Sequence, residues 1–441
     1  MESMEAKTFP GGAYIPHYKF TDDKPIEDMS IPEEIVIPLA QHIGSPCEPL
    51  VKVGDRVEVG QKIGDSEEYI TAPVHASVSG EVVAIEERPF FEGDEVESIV
   101  IKPDSEQQEF SYDEKNIEDM SLDDMKDRIR EAGVVGMGGA AFPTYVNINQ
   151  SKPIDSLLIN GAECEPFLTC DHRQMVERSE ELVIGAEILM NIIGAKKCYF
   201  GIEENKPDAI DAVSKQIEGK DGMEVVPLKT KYPQGYKVNV IHACTGRDVP
   251  RGVRSADLGC IVRNVGTTIA TYEAVKYGKP LMERVVTVSG YNIPEAGNYN
   301  IKIGTPVEHV LRECGVDNFE NQKVILGGPM TGTAVKDIRS SVVKNSTGLL
   351  LFPEDMTWDY TDYNECVRCG KCVERCPVHL YPNKIGMYAE HKQYSKAEEW
   401  DIMDCGECGT CVYFCPANRP ILMWIQQVKP TVKRRQRQRS K

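Results

Sequence analysis

The sequence lacks any apolar run long enough to cross a lipid bilayer. A membrane-spanning helix needs about 20 consecutive apolar residues, whereas the longest candidate, residues 182–195, is shorter and is interrupted by Glu187 and Asn191. The first seven residues are polar and of mixed charge, without the features of a signal peptide. We therefore expect a soluble or peripheral protein on the cytoplasmic side of the cell.

The chain also lacks the positive charge that nucleic-acid-binding proteins use. Its formal net charge is −19 at pH 7, which argues against nucleic acid as a partner for the body of the protein. Basic residues are nevertheless concentrated in residues 429–441, which hold seven Lys and Arg and no acidic residue. This tail could contact anionic lipid or an acidic partner protein. The alternative is a solvated, disordered end.

Cysteine, in contrast, is abundant and clustered. Of the 15 cysteines, seven are scattered and eight form two runs of spacing Cys-x2-Cys-x2-Cys-x3-Cys-Pro. The runs comprise Cys366, Cys369, Cys372 and Cys376, then Cys405, Cys408, Cys411 and Cys415. This spacing is typical of two-cluster bacterial ferredoxins, in which the fourth cysteine of each run ligates the other cluster. We therefore predict two [4Fe–4S] clusters, with Cys376 and Cys415 exchanged between the runs.

Structural zinc is the alternative for these cysteines. Zinc sites generally use paired Cys-x-x-Cys units or mixtures of Cys and His, with about four ligands per ion. Two complete runs of four cysteines, each followed by proline, fit that pattern poorly. Clustered cysteines in a cytosolic chain also indicate metal binding rather than disulfide bonds.

The N-terminal part of the chain has the pattern of a small β domain. Residues 31–103 contain short apolar runs separated by Gly and Pro, and the hairpin pattern at 51–61 resembles the barrel-sandwich fold of biotinyl and lipoyl carrier domains. Those domains carry their prosthetic group on a lysine at a hairpin tip. The corresponding stretch here, residues 64–71, has no lysine, so we expect a structural or docking module.

Further along, the apolar period indicates several more units. From Ser121, a candidate helix cap, Leu122, Met125 and Ile129 recur at helical spacing, and helix-like and strand-like pieces then alternate, which predicts an α/β domain. Short strands with one helix return after it. The predicted units are 1–103 (lead-in and barrel-sandwich domain), 104–120 (linker), 121–282 (α/β domain), 283–335 (small α+β domain), 336–360 (connector), 361–428 (two-cluster domain) and 429–441 (basic tail).

Four segments of the α/β region are candidates for binding a phosphorylated cofactor. The stretch 133–144 is rich in glycine, which lets backbone N–H groups approach a phosphate closely, but its spacing is neither a Walker A motif nor the usual dinucleotide fingerprint. The acidic segment 160–166 follows a predicted strand, where carboxylates suit ribose hydroxyls or a flavin edge. The other two segments are 201–206 and 263–268. Taken singly, each could be an ordinary turn or helix cap.

In this order, the segments resemble the flavin- and NADH-binding subunit of respiratory complex I, and more closely the C subunits of Rnf complexes, which are membrane-bound ferredoxin:NAD⁺ oxidoreductases. The resemblance covers nearly the whole chain and extends from the Gly11-Gly12 lead-in through 232–235 to the cysteine runs. It implies a multidomain α/β protein: a barrel-sandwich hybrid, a central FMN/NADH-binding domain, a small β-grasp domain at 283–335 and a ferredoxin-like α-helical domain with two clusters.

The resemblance also implies roles for individual residues, none of which is a catalytic acid or nucleophile. The glycine-rich loop would lie along FMN and NADH, the acidic segment would hold FMN and orient the nicotinamide ribose, a Glu-Glu pair would face flavin or NADH, and the last segment would lie near the FMN phosphate. The residues are Gly136, Gly138, Gly139 and Phe142; Asn160, Glu163 and Glu165; Glu203 and Glu204; and Asn264 and Thr267.

Two positions depart from the complex I pattern. That protein has Lys soon after Phe-Pro-Thr, where this chain has Asn147, and it has Asp between the Asn and the first Glu of the acidic segment, where this chain has Ala162. Both departures bear on the expected contacts to the flavin and its phosphate.

As a whole, the resemblance implies a peripheral subunit on the cytoplasmic face of the membrane. It would transfer electrons between NAD(H), bound FMN and two [4Fe–4S] clusters, with other subunits of the Rnf complex as partners and ferredoxin as an indirect one. Two alternatives remain: a soluble flavin and iron–sulfur cobalamin reductase of a microcompartment, and a non-catalytic iron–sulfur protein that only conducts electrons or docks partners.

Overall fold

The computed structural model describes residues 5–356 and 361–439. Part of the predicted connector, residues 357–360, and the last two residues of the predicted basic tail, 440 and 441, lie outside the described residues, as do residues 1–4. Within that part of the chain, no helix is both long enough and apolar enough to cross a membrane. Four units follow one another along the chain, and they have the predicted fold class.

The first unit is a barrel-sandwich of two small antiparallel sheets. Its four-stranded sheet has the spatial order Ile35–Pro38, Glu95–Pro103, Gly80–Pro89 and Arg56–Val57. Its three-stranded sheet has the order Glu48–Pro49, Lys62–Asp65 and Val74–His75. Small and β-branched side chains fill the space between the sheets, among them Ile37, Ile63, Val74 and Ile99, all fully buried.

The second unit is built on a four-stranded parallel sheet. The order of its strands is Met223–Leu228, Lys197–Glu203, Ser156–Gly161 and Cys260–Asn264. Side chains alternate across a strand, so Ile159 packs into the large core on one face while Leu158 packs against Val240 on the other. The helices of this unit are Leu122–Glu131, Thr144–Ile148, Cys170–Glu177, Ser179–Ile193, Pro207–Gln216, Lys237–Thr245 and Val265–Tyr277.

Local sequence explains where two of these helices begin. Ser121 caps the helix Leu122–Glu131 as predicted, because its side chain accepts the N–H of Asp124 while the carboxylate of Asp124 accepts the N–H of Ser121. Asn264 caps Val265–Tyr277 by accepting the N–H of Thr267. The cap therefore places Asn264 where the last strand of the parallel sheet ends and its helix starts.

The third unit is a six-stranded mixed sheet covered by the helix Val307–Glu313. It draws strands from beyond the span 283–335. The strand Ile26–Asp28 comes from the N-terminal lead-in, and Gly348–Pro353 lies inside the predicted connector 336–360, yet pairs with two strands of this sheet. The spatial order is Ile26–Asp28, Gly297–Lys302, Glu283–Gly290, Gly348–Pro353, Gln322–Leu326 and Thr333–Ala334.

The fourth unit is helical and carries both cysteine runs. Its core includes Ile385, Trp424 and Ile425. The span predicted as a basic tail is helical up to Arg439, as the end of a helix that begins at Ile421. The helices are Lys371–Glu374, Pro382–Glu390, Tyr394–Glu399, Thr410–Tyr413 and Ile421–Arg439, with a short 3-10 turn at Ile402–Asp404. Short 3-10 turns elsewhere in the chain are Ile117–Asp119, Ser255–Leu258 and Glu354–Met356.

Candidate functional site

A cavity of about 470 Å³ lies at the carboxyl ends of the parallel strands Ser156–Gly161 and Cys260–Asn264. This is the edge at which open α/β sheets usually bind ligands, and the volume is within the range of small-molecule sites. Six of the predicted cofactor-binding residues line it: Gly138, Gly139, Asn160, Glu163, Glu165 and Asn264. Gly406 and Cys408 of the second cysteine run line it as well.

The glycine-rich loop is held against the last helix of the parallel-sheet unit. The N–H of Met137 donates to Oγ1 of Thr267 at 2.8 Å, and the N–H of Gly136 donates to the carbonyl of Phe142 at 2.9 Å. A Cβ atom at Gly138 would lie 3.0 Å from Cβ of Asn264, so a side chain would push the two segments apart. Gly136, Phe142 and Thr267 therefore shape the loop, whereas Gly138 and Gly139 line the cavity.

The two predicted carboxylates of the acidic segment have different partners. Glu163 accepts the N–H groups of Asp171 and His172, at 2.7 and 3.1 Å, at the start of the helix Cys170–Glu177. The positive end of a helix dipole stabilises a carboxylate in that position. Glu165 reaches the third unit, where it accepts the N–H of Met330 at 3.0 Å and the hydroxyl of Thr331 at 2.5 Å.

Two lysines, the fully buried Lys206 and the partly buried Lys19, donate hydrogen bonds to the backbone of this acidic segment, and sequence reasoning did not identify either. Nζ of Lys19 donates to the carbonyls of Glu163, Glu165 and Leu168 at 2.8, 2.9 and 2.6 Å. Nζ of Lys206 donates to the carbonyl of Ala162 at 2.8 Å. Burial lowers the pKa of Lys19, and the nearby Lys206 lowers it further. Lys19 lies in the N-terminal lead-in, so no local pattern could have pointed to it.

The predicted Glu-Glu pair is placed away from the cavity. Glu203 is fully buried and pairs with Nζ of Lys206 at 3.1 Å, while Glu204 pairs with Lys229 at the surface. Neither lines the cavity. The physical reason is that Glu203 neutralises Lys206, whose Nζ donates to the backbone of the acidic segment. Glu203 therefore supports the site without lining the cavity.

Asp171 is a cavity residue that sequence reasoning missed. Its Oδ2 accepts a hydrogen bond from Nδ2 of Asn264 at 2.6 Å, while its Oδ1 is buried without a hydrogen-bond partner among the described residues. Burial, with a further contribution from the negative charge of Glu163, raises the pKa of Asp171 to about 7. The sequence feature that could have identified Asp171 is its position, since it is a carboxylate in the first turn of the helix that follows the acidic segment.

The two departures from the complex I pattern have structural counterparts. The side-chain oxygen of Asn147 accepts a hydrogen bond from Nη2 of Arg263 at 2.6 Å. Arg263 is buried, and the described part of the chain offers neither a hydrogen-bond partner to its Nε nor an ion pair to its guanidinium group. A positive charge therefore lies beside Asn147. It is supplied by Arg263 of the strand Cys260–Asn264 and not by a lysine at position 147. Ala162 is fully buried, and its carbonyl accepts a hydrogen bond from Lys206.

The cysteines fall into two sets, each drawn from both runs. Cys376 lines a small apolar cavity together with Cys405, Cys408 and Cys411; we name these four the inner set. Burial raises the pKa of Cys372, and the neighbouring thiols of Cys415, Cys366 and Cys369 raise it further; these four are the outer set. This grouping is the one that crossed ligation of two clusters requires.

The distances between ligand atoms in the two sets also distinguish a site for an iron–sulfur cluster from a site for a single zinc ion. Four sulfur atoms bound to one zinc ion at about 2.3 Å would lie roughly 3.8 Å from one another. Among residues 5–356 and 361–439, ligand atoms of three residues approach within 4.8 Å of one another only for Glu163, Cys170 and Asp171. The cysteine sets are therefore more open than a zinc site, as a cluster with several iron atoms needs.

The residues at the main cavity fit a bound flavin nucleotide. The backbone of Gly138 and Gly139 borders the cavity without side chains, and a Cβ atom at Gly139 would meet no described atom within 4 Å. The helix Val265–Tyr277 begins beside the cavity, after the cavity residue Asn264, and helix N-termini attract phosphate. The unpartnered Oδ1 of Asp171 is a polar group left for a ligand.

Comparisons with known proteins agree with this geometry. Residues 7–106 match the family model of the RnfC barrel sandwich hybrid domain, residues 129–273 match the Nuo51 FMN-binding domain, and residues 359–416 match a 4Fe-4S dicluster domain. The chain is 42% identical over 407 residues to the C subunit of the Na⁺-translocating ferredoxin:NAD⁺ oxidoreductase complex of Acetobacterium woodii, covering 90% of each protein. The chain belongs to the RnfC family.

Other members of the RnfC family are similarly close. The C subunit of the proton-translocating ferredoxin:NAD⁺ oxidoreductase complex of Clostridium ljungdahlii is 43% identical, and the match covers 96% of this chain and 93% of that protein. The C subunit of the ion-translocating oxidoreductase complex of Rhodobacter capsulatus is 39% identical, with 95% and 82% covered. The FMN-binding and dicluster models support FMN and two [4Fe–4S] clusters as cofactors of this RnfC protein, as predicted.

Solved structures support the fold of this RnfC protein. A chain of the NAD⁺-reducing [NiFe]-hydrogenase in the H₂-reduced state superimposes with a TM-score of 0.51 at 15% identity, and the air-oxidised state gives 0.50 at 16%. The match covers 70% and 64% of this chain, and it spans 62% and 55% of the hydrogenase chains. At this identity, the likeness concerns the fold alone.

Proposed function

We propose that this chain is the NAD(H)-reactive subunit of a membrane-bound Rnf complex, which couples ferredoxin oxidation and NAD⁺ reduction to ion translocation. Its relatives from Acetobacterium woodii and Clostridium ljungdahlii are named as subunits of such complexes. One observation carries the proposal: residues of the flavin-site type, such as Asn160 and Glu163, share a single cavity with Cys408 of the second cysteine run.

The residues around the cavity are suited to electron transfer between NAD(H) and an iron–sulfur cluster. When bound, FMN exchanges a hydride with NAD(H) and single electrons with iron–sulfur clusters. The chain's own residues bind and orient the reactants there. Glu163, held at the start of a helix, and Asn264 border the cavity, while Phe91, Leu168 and Leu326 line it with apolar side chains that exclude water.

The nucleotide would enter along the side bordered by two other units. Phe91 and Glu92 belong to the turn between the barrel-sandwich strands Gly80–Pro89 and Glu95–Pro103, and both line the cavity. Thr331 and Thr333 of the third unit line it as well. The barrel-sandwich domain thus contributes to the nucleotide site, which gives the predicted structural module a specific role. The hydroxyls and the carboxylate suit ribose hydroxyl groups.

The proposed location is the cytoplasmic face of the membrane, with other Rnf subunits as direct partners and ferredoxin as an indirect one. The helix Ile421–Arg439 ends in several exposed basic side chains, including Lys433, Arg434 and Arg437. Polybasic segments are attracted to anionic lipid by about 1 kcal/mol per charge near the surface. This end of the helix is therefore a candidate for contact with lipid or an acidic partner protein.

The test is an anaerobic cofactor analysis followed by titration with NADH. We expect about eight iron atoms per chain, as two [4Fe–4S] clusters require, one FMN, and bleaching of flavin absorbance on addition of NADH. Flavin that NADH does not reduce would overturn the proposal. A chain without any flavin would favour the electron-conducting alternative, and co-purification with shell proteins instead of membrane subunits would favour the cobalamin reductase.

A further inference from the structure

The flavin cavity is lined by carboxylates and by no basic side chain. Among the described residues that line it, the acidic ones are Glu92, Glu163, Glu165 and Asp171, and none is Lys, Arg or His. The last three belong to the acidic segment or to the helix that follows it, whereas Glu92 belongs to the barrel-sandwich unit. Of the four, Glu92 is the exposed one. It therefore lies where the cavity opens to solvent.

A segment of the third unit, residues 330–336, connects the second cysteine run to the turn that holds Glu92. At its first residue, the carbonyl oxygen of Met330 would lie 3.1 Å from a Cβ atom at Gly409. Thr331 and Thr333 line the cavity. At its last residue, the N–H of Lys336 donates to the carbonyl of Phe91 at 3.3 Å. One end of the segment thus borders the cysteine run, and the other borders turn 90–94.

The two ends suit different parts of a nicotinamide dinucleotide. Hydride transfer requires the nicotinamide ring at the flavin, so the nicotinamide half belongs at the end where Cys408 borders the cavity. The adenosine half then lies at turn 90–94. Phe91 offers an apolar ring there, and Glu92 offers a carboxylate, the group with which dinucleotide sites commonly bind ribose hydroxyls.

A lysine lies across the same turn. Gly93 has φ of 98°, and a Cβ atom there would lie 2.3 Å from Cδ and 2.7 Å from Nζ of Lys336. The side chain of Lys336 is exposed. Its ammonium group is therefore positioned beside the opening of a cavity whose described lining has no cation, and an ammonium group is a common partner of phosphate.

We infer that turn 90–94 and Lys336 bind the adenosine half of the nicotinamide nucleotide, and that Glu92 makes this site selective for NAD(H) over NADP(H). This inference rests on the proposed function. The carboxylate of Glu92 accepts hydrogen bonds from the adenosine ribose hydroxyls and repels the additional phosphate that NADP(H) carries on that ribose. Lys336 contacts the diphosphate, which both dinucleotides share. Substrate selection thus belongs to the barrel-sandwich unit.

The selectivity is tested with ADP-ribose and 2′-phospho-ADP-ribose, two fragments that lack the nicotinamide ring and cannot reduce the flavin. Isothermal titration calorimetry measures their binding to the full-length, cofactor-loaded chain. We expect the unsubstituted chain to prefer ADP-ribose. Glu92→Gln should shift the ratio of the two dissociation constants by about tenfold toward the 2′-phospho fragment, because a charged hydrogen-bond acceptor is lost and the repulsion with it.

The matched control is Glu87→Gln, which removes the same charge from an exposed residue on the strand Gly80–Pro89 of the same hairpin. It should leave the ratio unchanged. An unchanged ratio in Glu92→Gln would overturn the assignment of selectivity to Glu92. A preference of the unsubstituted chain for the 2′-phospho fragment would overturn it as well.

The role of Lys336 is tested with the same two fragments. Lys336→Gln is compared with Lys215→Gln, which removes the same charge from an exposed residue on the helix Pro207–Gln216. We expect Lys336→Gln to weaken the binding of both fragments by a similar factor, more at low than at high ionic strength. Equal affinities in the two variants, or a loss confined to the 2′-phospho fragment, would overturn the assignment of Lys336 to the diphosphate.

The outcomes separate this inference from the function on which it rests. If NADH fails to bleach the flavin of the unsubstituted chain, the proposed function fails. If NADH bleaches the flavin while Glu92→Gln binds the two fragments in the same ratio as the unsubstituted chain, only the selectivity assignment is overturned.

Discussion

The hydroxyl of Tyr232 donates a hydrogen bond to the carbonyl oxygen of Cys408, with 2.7 Å between the two oxygen atoms. Tyr232 is buried, and burial together with the negative charge of Glu165 raises its pKa well above the usual value, so the hydroxyl stays protonated as a donor. This bond joins the parallel-sheet unit to the backbone of the second cysteine run at the edge of the flavin cavity.

Substitution Tyr232→Phe removes this hydroxyl and leaves the ring in place. We expect a loss of about 1 kcal/mol in the free energy of unfolding, the usual net value of one hydrogen bond, and slower reduction of the inner cluster after flavin bleaching. The matched control is Tyr381→Phe, since Tyr381 is 52% exposed in the cluster domain. Stopped-flow absorbance measures the rate, and equal rates for both variants would show that the bond does not support transfer.

Crossed ligation predicts how losses of iron combine. Because Cys376 belongs to the inner set, Cys376→Ala should remove about four of about eight iron atoms, and adding Cys405→Ala should remove few more. Adding Cys369→Ala to Cys376→Ala should instead remove both clusters. Iron analysis and electron paramagnetic resonance of the three variants measure this. The reverse pattern, with the Cys376 and Cys369 losses not adding, would mean that each run holds its own cluster.

The raised pKa of Asp171 predicts that the stability of the folded protein depends on pH. Its pKa is raised by burial to about 7 in the folded protein, against about 3.9 in an unfolded chain, so the folded state binds the proton more tightly. The stabilisation is fully present below about pH 4 and is lost as pH rises through about 7. We therefore expect the difference in unfolding free energy between the unsubstituted chain and Asp171→Asn to fall between about pH 4 and pH 7.

Denaturant unfolding of the flavin-free chain at several pH values measures that difference. The control is Asp123→Asn, because Asp123 has a side chain that is 90% exposed on the first helix of the parallel-sheet unit. Its difference from the unsubstituted chain should change little over the same range. A difference for Asp171→Asn that rises with pH would contradict the proposed protonated state.

Because Lys19 of the N-terminal lead-in donates to three carbonyls of the acidic segment, we predict that the lead-in is needed for flavin binding. Lys19→Met would leave the carbonyls of Glu163, Glu165 and Leu168 without the ammonium group that donates to them, and a buried acceptor left unsatisfied costs about 1–3 kcal/mol. We expect a large loss of thermal stability and of FMN content. Lys24→Met, which removes one exposed bond to the carbonyl of Ala296, is the control. Full FMN content in Lys19→Met would rule out this supporting role.

The sequence was most informative where function depends on short-range spacing. Cysteine spacing alone grouped Cys376 with the second run, and the glycine-rich loop and Asn264 were recognisable from contiguous motifs. Ser121 was a correct helix cap because capping involves residues only three positions apart. These features need little knowledge of how distant segments pack.

Long-range contacts could not be predicted in this way. Lys19 contacts the acidic segment across more than 140 residues, and its exposed or buried state depends on the finished fold. The strand Gly348–Pro353 was assigned to a connector because a short apolar run does not reveal its pairing partners. Glu203 was placed in the site by motif, but its carboxylate serves a buried lysine instead.

Electron transfer from NADH through the flavin to the clusters is tested most directly by a stopped-flow experiment on the anaerobic, cofactor-loaded full chain mixed with NADH. Flavin and cluster absorbance are followed in the same reaction, and dithionite defines complete reduction. We expect the flavin to bleach first and the clusters to be reduced by it, because the cavity of Asn160 and Glu163 is bordered by Cys408. Bleached flavin beside clusters that stay oxidised towards NADH, yet are reduced by dithionite alone, would contradict it.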